Sequence, residues 1–153
     1  RYKISIEAIK KAIAETSLPG RLQVIAEPYP TLFDVAHNPA SARLLVKNLE
    51  RLNQSYPIEK TIAVVGMLKD KDISATLEPL LSLVDIWHLA TLDDPRGASS
   101  KELSAFIPNQ NNRLFDSPIL AYQAALQKAA PKDRMIIFGS FRTVGEILGG
   151  IST

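Results

Sequence analysis

The 153-residue chain contains no cysteine, which excludes disulfide staples and thiolate metal sites and suits a reducing compartment. It has no apolar run long enough to span a bilayer and no signal-peptide pattern, so no membrane role is expected. Charge of one sign is also lacking: 18 Lys and Arg face 16 Asp and Glu. The basic residues are scattered rather than striped, which argues against a nucleic-acid partner. Neither G-x-x-x-x-G-K-[ST] nor a G-x-G-x-x-G following a strand is present. A phosphate cradle of its own is therefore missing, and any nucleotide handled here must have its phosphates held mainly by another domain. With 46% apolar and 22% charged residues, the composition is that of one ordinary folded domain with a full core.

What is present is organised around Leu32-Phe33-Asp34-Val35-Ala36-His37-Asn38-Pro39. The apolar run reads as a buried strand over 32–36 with a carboxylate inside it, and an unpaired buried charge is costly, so Asp34 needs a partner. Asn38-Pro39 is a good N-cap and N1 pair, which turns the strand into a helix within about two residues. Asp34 and His37 are thereby expected beside a helix N-terminus, an anion-friendly corner.

Taken in order, apolar residues recur at helical spacing over 4–16 until Leu18-Pro19-Gly20 breaks the pattern, predicting an N-terminal helix and a turn. Strands over 22–26 and 32–36 are joined too closely for a crossover helix and are expected to pair antiparallel. From Pro39, the positions Ala42, Leu45, Val46, Leu49 and Leu52 lie on one helical face and should cover a sheet. Residues 61–66 read as a strand buried on both faces, 85–91 as the next, a brief strand falls near 113–115, and 135–139 form the last. Helices are expected between them, with Leu77, Leu80 and Leu81 inward in one that Pro79 makes irregular. A short helix is expected near 100–106. Another is capped by Ser117-Pro118 with Ile119, Tyr122, Leu126 and Ala129 inward, and the last covers 143–148. The alternation predicts an α/β, Rossmann-like three-layer sandwich: a mixed, mostly parallel sheet of about six strands with an antiparallel N-terminal hairpin strand.

In such a sheet ligands bind outside the carboxyl ends of the strands, which selects four loops, at 34–38, 67–72, 93–97 and 140–143. Asp34 and His37 read as a metal pair, an acid/base pair or polar contacts to a ligand, and the residues alone leave these open. The bland alternative for Asp34 is a carboxylate satisfied by the following helix N-terminus. Ser140 follows a strand and Gly139, but Gly139-Ser140-Phe141-Arg142-Thr143 lacks the G-x-S-x-G elbow, which argues against a hydrolase. Ser140 or Thr143 is expected to cap the last helix, with Glu146 completing a capping box to Thr143. Asp93-Asp94-Pro95-Arg96-Gly97 places a guanidinium on a rigid loop, suited to bidentate capture of a carboxylate or phosphate, or else forms an ordinary surface turn. The charged run at 69–72 reads as a solvated turn with Asp72 as a helix cap.

Four motifs in order, Leu18-Pro19-Gly20-Arg21, Asp34-Val35-Ala36-His37-Asn38-Pro39, Gly66-Met67-Leu68-Lys69-Asp70-Lys71-Asp72 and Gly139-Ser140-Phe141-Arg142-Thr143-Val144, resemble the C-terminal domain of bifunctional dihydrofolate synthase/folylpolyglutamate synthases of the Mur ligase superfamily. Val35 stands where glycine is common in that family. The resemblance divides the chain into an N-terminal helix and linker region, 1–18, and a Mur ligase-type C-terminal domain, 19–153, and makes it a fragment without its N-terminal ATPase domain.

That resemblance implies a cytoplasmic, ADP-forming ligase that adds L-glutamate to dihydropteroate or to folates through an acyl phosphate. Such chemistry depends on positioning and charge neutralisation more than on a protein nucleophile. It implies ATP contacts from Arg21, against phosphate, and Asp34, against ribose hydroxyls. It places His37 and Ser140 with the incoming glutamate. Asp93-Asp94-Pro95-Arg96 resembles the Asp-Asn-Pro-Arg loop of related Mur ligases, which puts Arg96 on a glutamate carboxylate. No catalytic side chain and no metal ligand is implied within the domain: Mg2+ would be held by the N-terminal domain, the expected partner, and the chain alone should be inactive. The readings weighed against this one are a Mur-type peptidoglycan amino-acid ligase domain and a non-catalytic flavodoxin-like binding module.

Overall fold

The computed structural model describes residues 20–151 apart from 27, 56–57 and 109–110; the helix expected over 4–16 lies outside these residues. The centre of the sheet follows from two apolar runs. In β3 (Thr61–Val65) and β6 (Arg134–Phe138) every residue is buried, as a strand covered on both faces requires. They pair in parallel, Thr61 opposite Arg134 and Val65 opposite Phe138. Around them lie β1 (Gln23–Ile25), β2 (Thr31–Phe33), β4 (Ile86–Ala90) and β5 (Asn112–Phe115), in the order β1-β2-β6-β3-β4-β5. Only the β1–β2 hairpin is antiparallel among these pairs, as its short connection demands.

Period-two alternation sends successive side chains to opposite layers. Ala63, Val65, Ile136 and Phe138 pack on one face with Ala42, Leu45 and Leu49 of α1 (Pro39–Ser55), Leu77 of α2 (Ile73–Leu77) and Leu103 of α3 (Ser100–Ser104). Ile62, Val64, Met135 and Ile137 pack on the other with Ala121, Tyr122 and Ala125 of α4 (Pro118–Lys128) and Val144 and Ile147 of α5 (Phe141–Ile151). The result is the expected three-layer sandwich.

Several local expectations are corrected. β2 stops at Phe33, so Asp34 stands just beyond the strand end rather than inside it, although its N–H still donates to the Ile137 carbonyl of β6 at 2.9 Å. Leu52, in the last turn of α1, is 36% exposed and lines an open cleft with Val24 of the edge strand β1 and Leu32 of β2. Pro79 sits in a 3₁₀ turn, Glu78–Leu80, that closes α2, where a missing N–H costs little. The last helix starts earlier, at Phe141, because Ser140 caps it, its Oγ accepting from the Thr143 N–H at 3.0 Å. Glu146 completes no box: its carboxylate accepts from the Ile119 N–H of α4 at 3.2 Å. Asn38 and Asp72 do cap their helices, accepting from the N–H groups of Ser41 at 2.9 Å and Ala75 at 3.0 Å.

Candidate functional site

Because β2, β6, β3 and β4 run parallel, their carboxyl ends and the four expected loops share one pole. The loops are stitched to one another by backbone: Gly139 N–H to Ala36 O at 2.9 Å, Ala98 N–H to Met67 O at 2.9 Å and Lys69 N–H to Arg96 O at 2.7 Å. Thr143 adds a side-chain tie, donating its hydroxyl to Gly66 O at 2.8 Å. Gly139 is required here. Its φ is +112°, and a Cβ would stand 2.5 Å from the Gly66 carbonyl oxygen.

Gly20-Arg21-Leu22 folds back over this pole. Gly20 has φ +74°, and a Cβ there would meet Val144 Cγ1 at 2.7 Å, so glycine both permits the left-handed turn and lets it settle on α5. Leu22 also takes a positive φ, 48°, and its N–H donates to Asp34 Oδ2 at 3.1 Å, while the Ala36 N–H donates to Oδ1 at 2.7 Å. The partner Asp34 needs is thus the Arg21-Leu22 turn and its own loop, not the N-terminus of α1. Burial pushes the Asp34 carboxyl above its ordinary range, opposed by the Ala36 and Leu22 donors and by the Arg21 charge. Each oxygen accepts one amide and keeps acceptor capacity for a ligand. The exposed Arg21 guanidinium lies over the Phe141 ring, 5.8 Å from its centroid, a cation–π placement.

His37 also approaches that ring, with centroids 6.3 Å apart and the planes tilted by 45°. Its Nδ1 lies 2.8 Å from Val35 O; a carbonyl only accepts, so a hydrogen sits on Nδ1, and Nε2 is the ring nitrogen left to face a ligand. His37, Arg96 and Ser140 line one cavity of about 330 Å³ together with Leu68, Lys71, Gly139, Phe141 and Arg142. Ser140 is 5% exposed, and its hydroxyl is engaged by the Thr143 N–H at 3.0 Å and the Thr143 hydroxyl at 2.8 Å. Structurally it is first a helix cap. Arg96 joins the two readings of its loop: the Asp94 Oδ1 accepts its N–H at 2.8 Å, as in an Asx turn, while its exposed guanidinium lines the cavity.

The structure thus ties Asp34 to the Arg21-Leu22 turn, sets Arg21 and His37 beside Phe141, and lines one cavity with His37, Ser140 and Arg96. Sequence reasoning missed Phe141, Lys71 and Arg142 as members of this site. A large aromatic at the first position of a helix, 59% exposed, was a usable signal for Phe141. Lys71 and Arg142 gave none, since a charge run and a helical first turn are ordinary places for solvated cations. Among the described residues, no group of three or more His, Asp or Glu is placed to hold a metal ion. No helix among them is long and apolar enough to cross a membrane.

The chain is 40% identical over 146 residues to the dihydrofolate synthase/folylpolyglutamate synthase of Escherichia coli K12, covering 95% of this chain and 33% of that protein. It superposes with TM-score 0.86 and 41% identity on the crystal structure of the bifunctional folylpolyglutamate synthase/dihydrofolate synthase of Yersinia pestis complexed with AMPPNP and Mn ion, over 99% of this chain and 36% of that one. It superposes with TM-score 0.88 and 39% identity on E. coli FolC in complex with DHPP and ADP, over 99% of this chain and 35% of that one. The chain therefore spans about a third of the length of the relatives it matches. The family described as Mur ligase, glutamate ligase domain matches residues 20–141, which hold three loops of the pole and the start of the fourth, and to that family this chain belongs.

Proposed function

We propose that this chain is the C-terminal half of a two-domain, ADP-forming ligase that joins L-glutamate to dihydropteroate, to tetrahydrofolate or to both. The observation that supports this best is the division of the carboxyl-end pole into two groups, Asp34 with the Arg21-Leu22 turn and the cation-lined cavity of His37, Arg96 and Ser140, with Phe141 beside both Arg21 and His37. A ligase needs such a division, because the nucleotide and the incoming amine must be held apart yet within reach of one carboxylate. ATP supplies the phosphoryl group that activates the acceptor carboxylate, and the metal ion that accompanies it is assigned to the N-terminal ATPase domain.

The residues of this chain then act by holding and neutralising. Arg21, swung over the pole by the Gly20 turn, balances phosphate charge. Asp34 accepts hydrogen bonds from ribose hydroxyls with the lone pairs its backbone donors leave over. His37, fixed by its Nδ1–H to Val35, offers Nε2 to the glutamate amine, and the Arg96 guanidinium meets a glutamate carboxylate. The cytoplasm, where folates and ATP meet, is the setting this reading assigns.

Glutamate-dependent ADP release, measured with dihydropteroate and separately with tetrahydrofolate, tests the reading. Activity is expected in the full-length protein and not in this chain alone. Full-length Arg21→Ala and Asp34→Ala should each lose about a hundredfold or more, the scale of lost transition-state electrostatics. An intact protein inactive on both pterins, or variants as active as wild type, would overturn it in favour of a binding module.

A further inference from the structure

The loop after β4 turns on Asp94, whose side chain is 8% exposed. One oxygen, Oδ1, accepts the Arg96 N–H at 2.8 Å and lies 3.9 Å from Arg96 Nε. That much an ordinary Asx turn explains. The other oxygen is what a turn does not need: Oδ2 is 2.8 Å from Arg142 Nε, and Arg142 Nη1 reaches the carbonyl of Asp93 at 3.4 Å. A single, nearly buried carboxylate thus moors two guanidiniums by their inner edges, one from the β4 loop and one from the first turn of α5. Both arginines line the 330 Å³ cavity with Lys71.

Free arginines at a surface sample many rotamers, and fixing them on binding is costly in entropy. Mooring them beforehand removes much of that cost. The cavity also keeps an excess of positive charge. Besides Asp94, the acid among its cations is Asp70, which is shared between Lys71 at 3.7 Å and Arg96 at 3.8 Å and is itself half-exposed. Three cations against two carboxylates leave one positive charge over, which suits an amino acid with two carboxylates and one ammonium, of net charge −1.

Resting on the ligase reading above, we propose that Asp94 is a positioning residue, and that Arg142, held by it, determines specificity for an amino acid with two carboxylates. Arg142 and Arg96 together receive a dicarboxylic amino acid, and the Asp94 clamp sets the distance between them. An amino acid whose distal group is a neutral amide leaves one moored guanidinium without its anion.

Steady-state kinetics of the full-length protein with L-glutamate and L-glutamine as competing co-substrates test this. Asp94→Asn keeps an oxygen for the Arg96 N–H but removes the charge that holds Arg142. The KM for glutamate should rise about tenfold, as for loss of a charge-assisted hydrogen bond, with kcat within about twofold of wild type and the KM for ATP and the thermal midpoint unchanged. Arg142→Gln should raise the glutamate KM similarly and narrow the preference for glutamate over glutamine. The double variant should be little worse than either single one, since both remove the same interaction. An active wild type whose Asp94→Asn form keeps its glutamate KM, or fully additive effects, overturns the clamp alone. A wild type without glutamate-dependent turnover overturns the ligase reading and the clamp with it.

Discussion

The two poles of the sheet treat their polar side chains in opposite ways. At the amino-end pole the buried ones are used up inside the fold, while Lys60, Arg113 and Lys128 stay at the exposed rim. Arg134, 4% exposed at the start of β6, donates to Thr61 Oγ1 at 2.9 Å, Asn53 Oδ1 at 2.7 Å and Leu49 O at 3.3 Å. Asp85 accepts the Thr61 N–H at 2.8 Å and Asp133 accepts the Ala130 N–H at 2.9 Å. These groups tie β3, β6 and α1 together. At the carboxyl-end pole Arg21, Arg96 and Arg142 are moored at one edge and exposed at the other. Cations of the same type are thus tied into the fold where each guanidinium nitrogen has a partner and left available to a ligand where donors remain. Burial also draws the Arg134 guanidinium down from its usual range, partly countered by Asp85.

The largest effect that would sharpen this contrast is expected from Arg134→Met. Removing the guanidinium leaves the buried Thr61 hydroxyl without its donor and breaks the tie from β6 to Asn53 of α1, and should destabilise the chain by about 3 kcal/mol in urea unfolding. The glutamate KM of the folded variant should stay unchanged. If stability held and binding failed, the division between poles would collapse.

A second effect lies between the poles. His88, fully buried in β4, places Nδ1 3.0 Å from Ala121 O, and its Nε2 has no partner among the described residues. Burial pulls its pKa below the ordinary value, opposed by the Ala121 contact and reinforced by Arg113. The folded state therefore binds fewer protons than the unfolded one once pH falls below about 6.5. The contribution is fully present above that pH and is lost as pH falls toward the depressed folded value, with a slope of at most about 1.4 kcal/mol per pH unit. His88→Phe, which can stack on Phe115 as the imidazole does at 4.9 Å, should flatten the unfolding free energy between pH 7 and 5. An equally steep profile would assign the slope elsewhere.

Ser140→Ala should cost about 1 kcal/mol, the usual worth of an N-cap, read as a drop in thermal midpoint. The same variant probes the shared use of this residue: a rise in glutamate KM without a stability loss would make it a binding residue before a cap. Smallest of all should be Lys132→Ala, which removes an exposed pair with Glu59 at 3.1 Å. Such pairs are worth well under about 1 kcal/mol, so a larger loss would show that the amino-end pole is coupled more tightly than its exposed rim suggests.

The sequence by itself determined the layers of this protein and which loops gather at one pole of its sheet. Period-two and period-3.6 patterns are local, so residues 61–65, the face of α1 and the caps at Asn38, Asp72 and Ser140 could be read from neighbours in the chain. Strand alternation then selected the four loops, and the ordered motifs pointed to the Mur ligase family. Tertiary structure alone decided which side chains meet. That Asp34 answers to Leu22 across a hairpin, that Glu146 serves α4 rather than its own cap, and that Asp94 moors Arg142 are contacts between residues 12, 27 and about fifty positions apart. Their geometry depends on how β6 is inserted between β2 and β3. No local pattern encodes such meetings, because a hydrogen bond is chosen by distance in space, and distance in space is set only when the sheet closes.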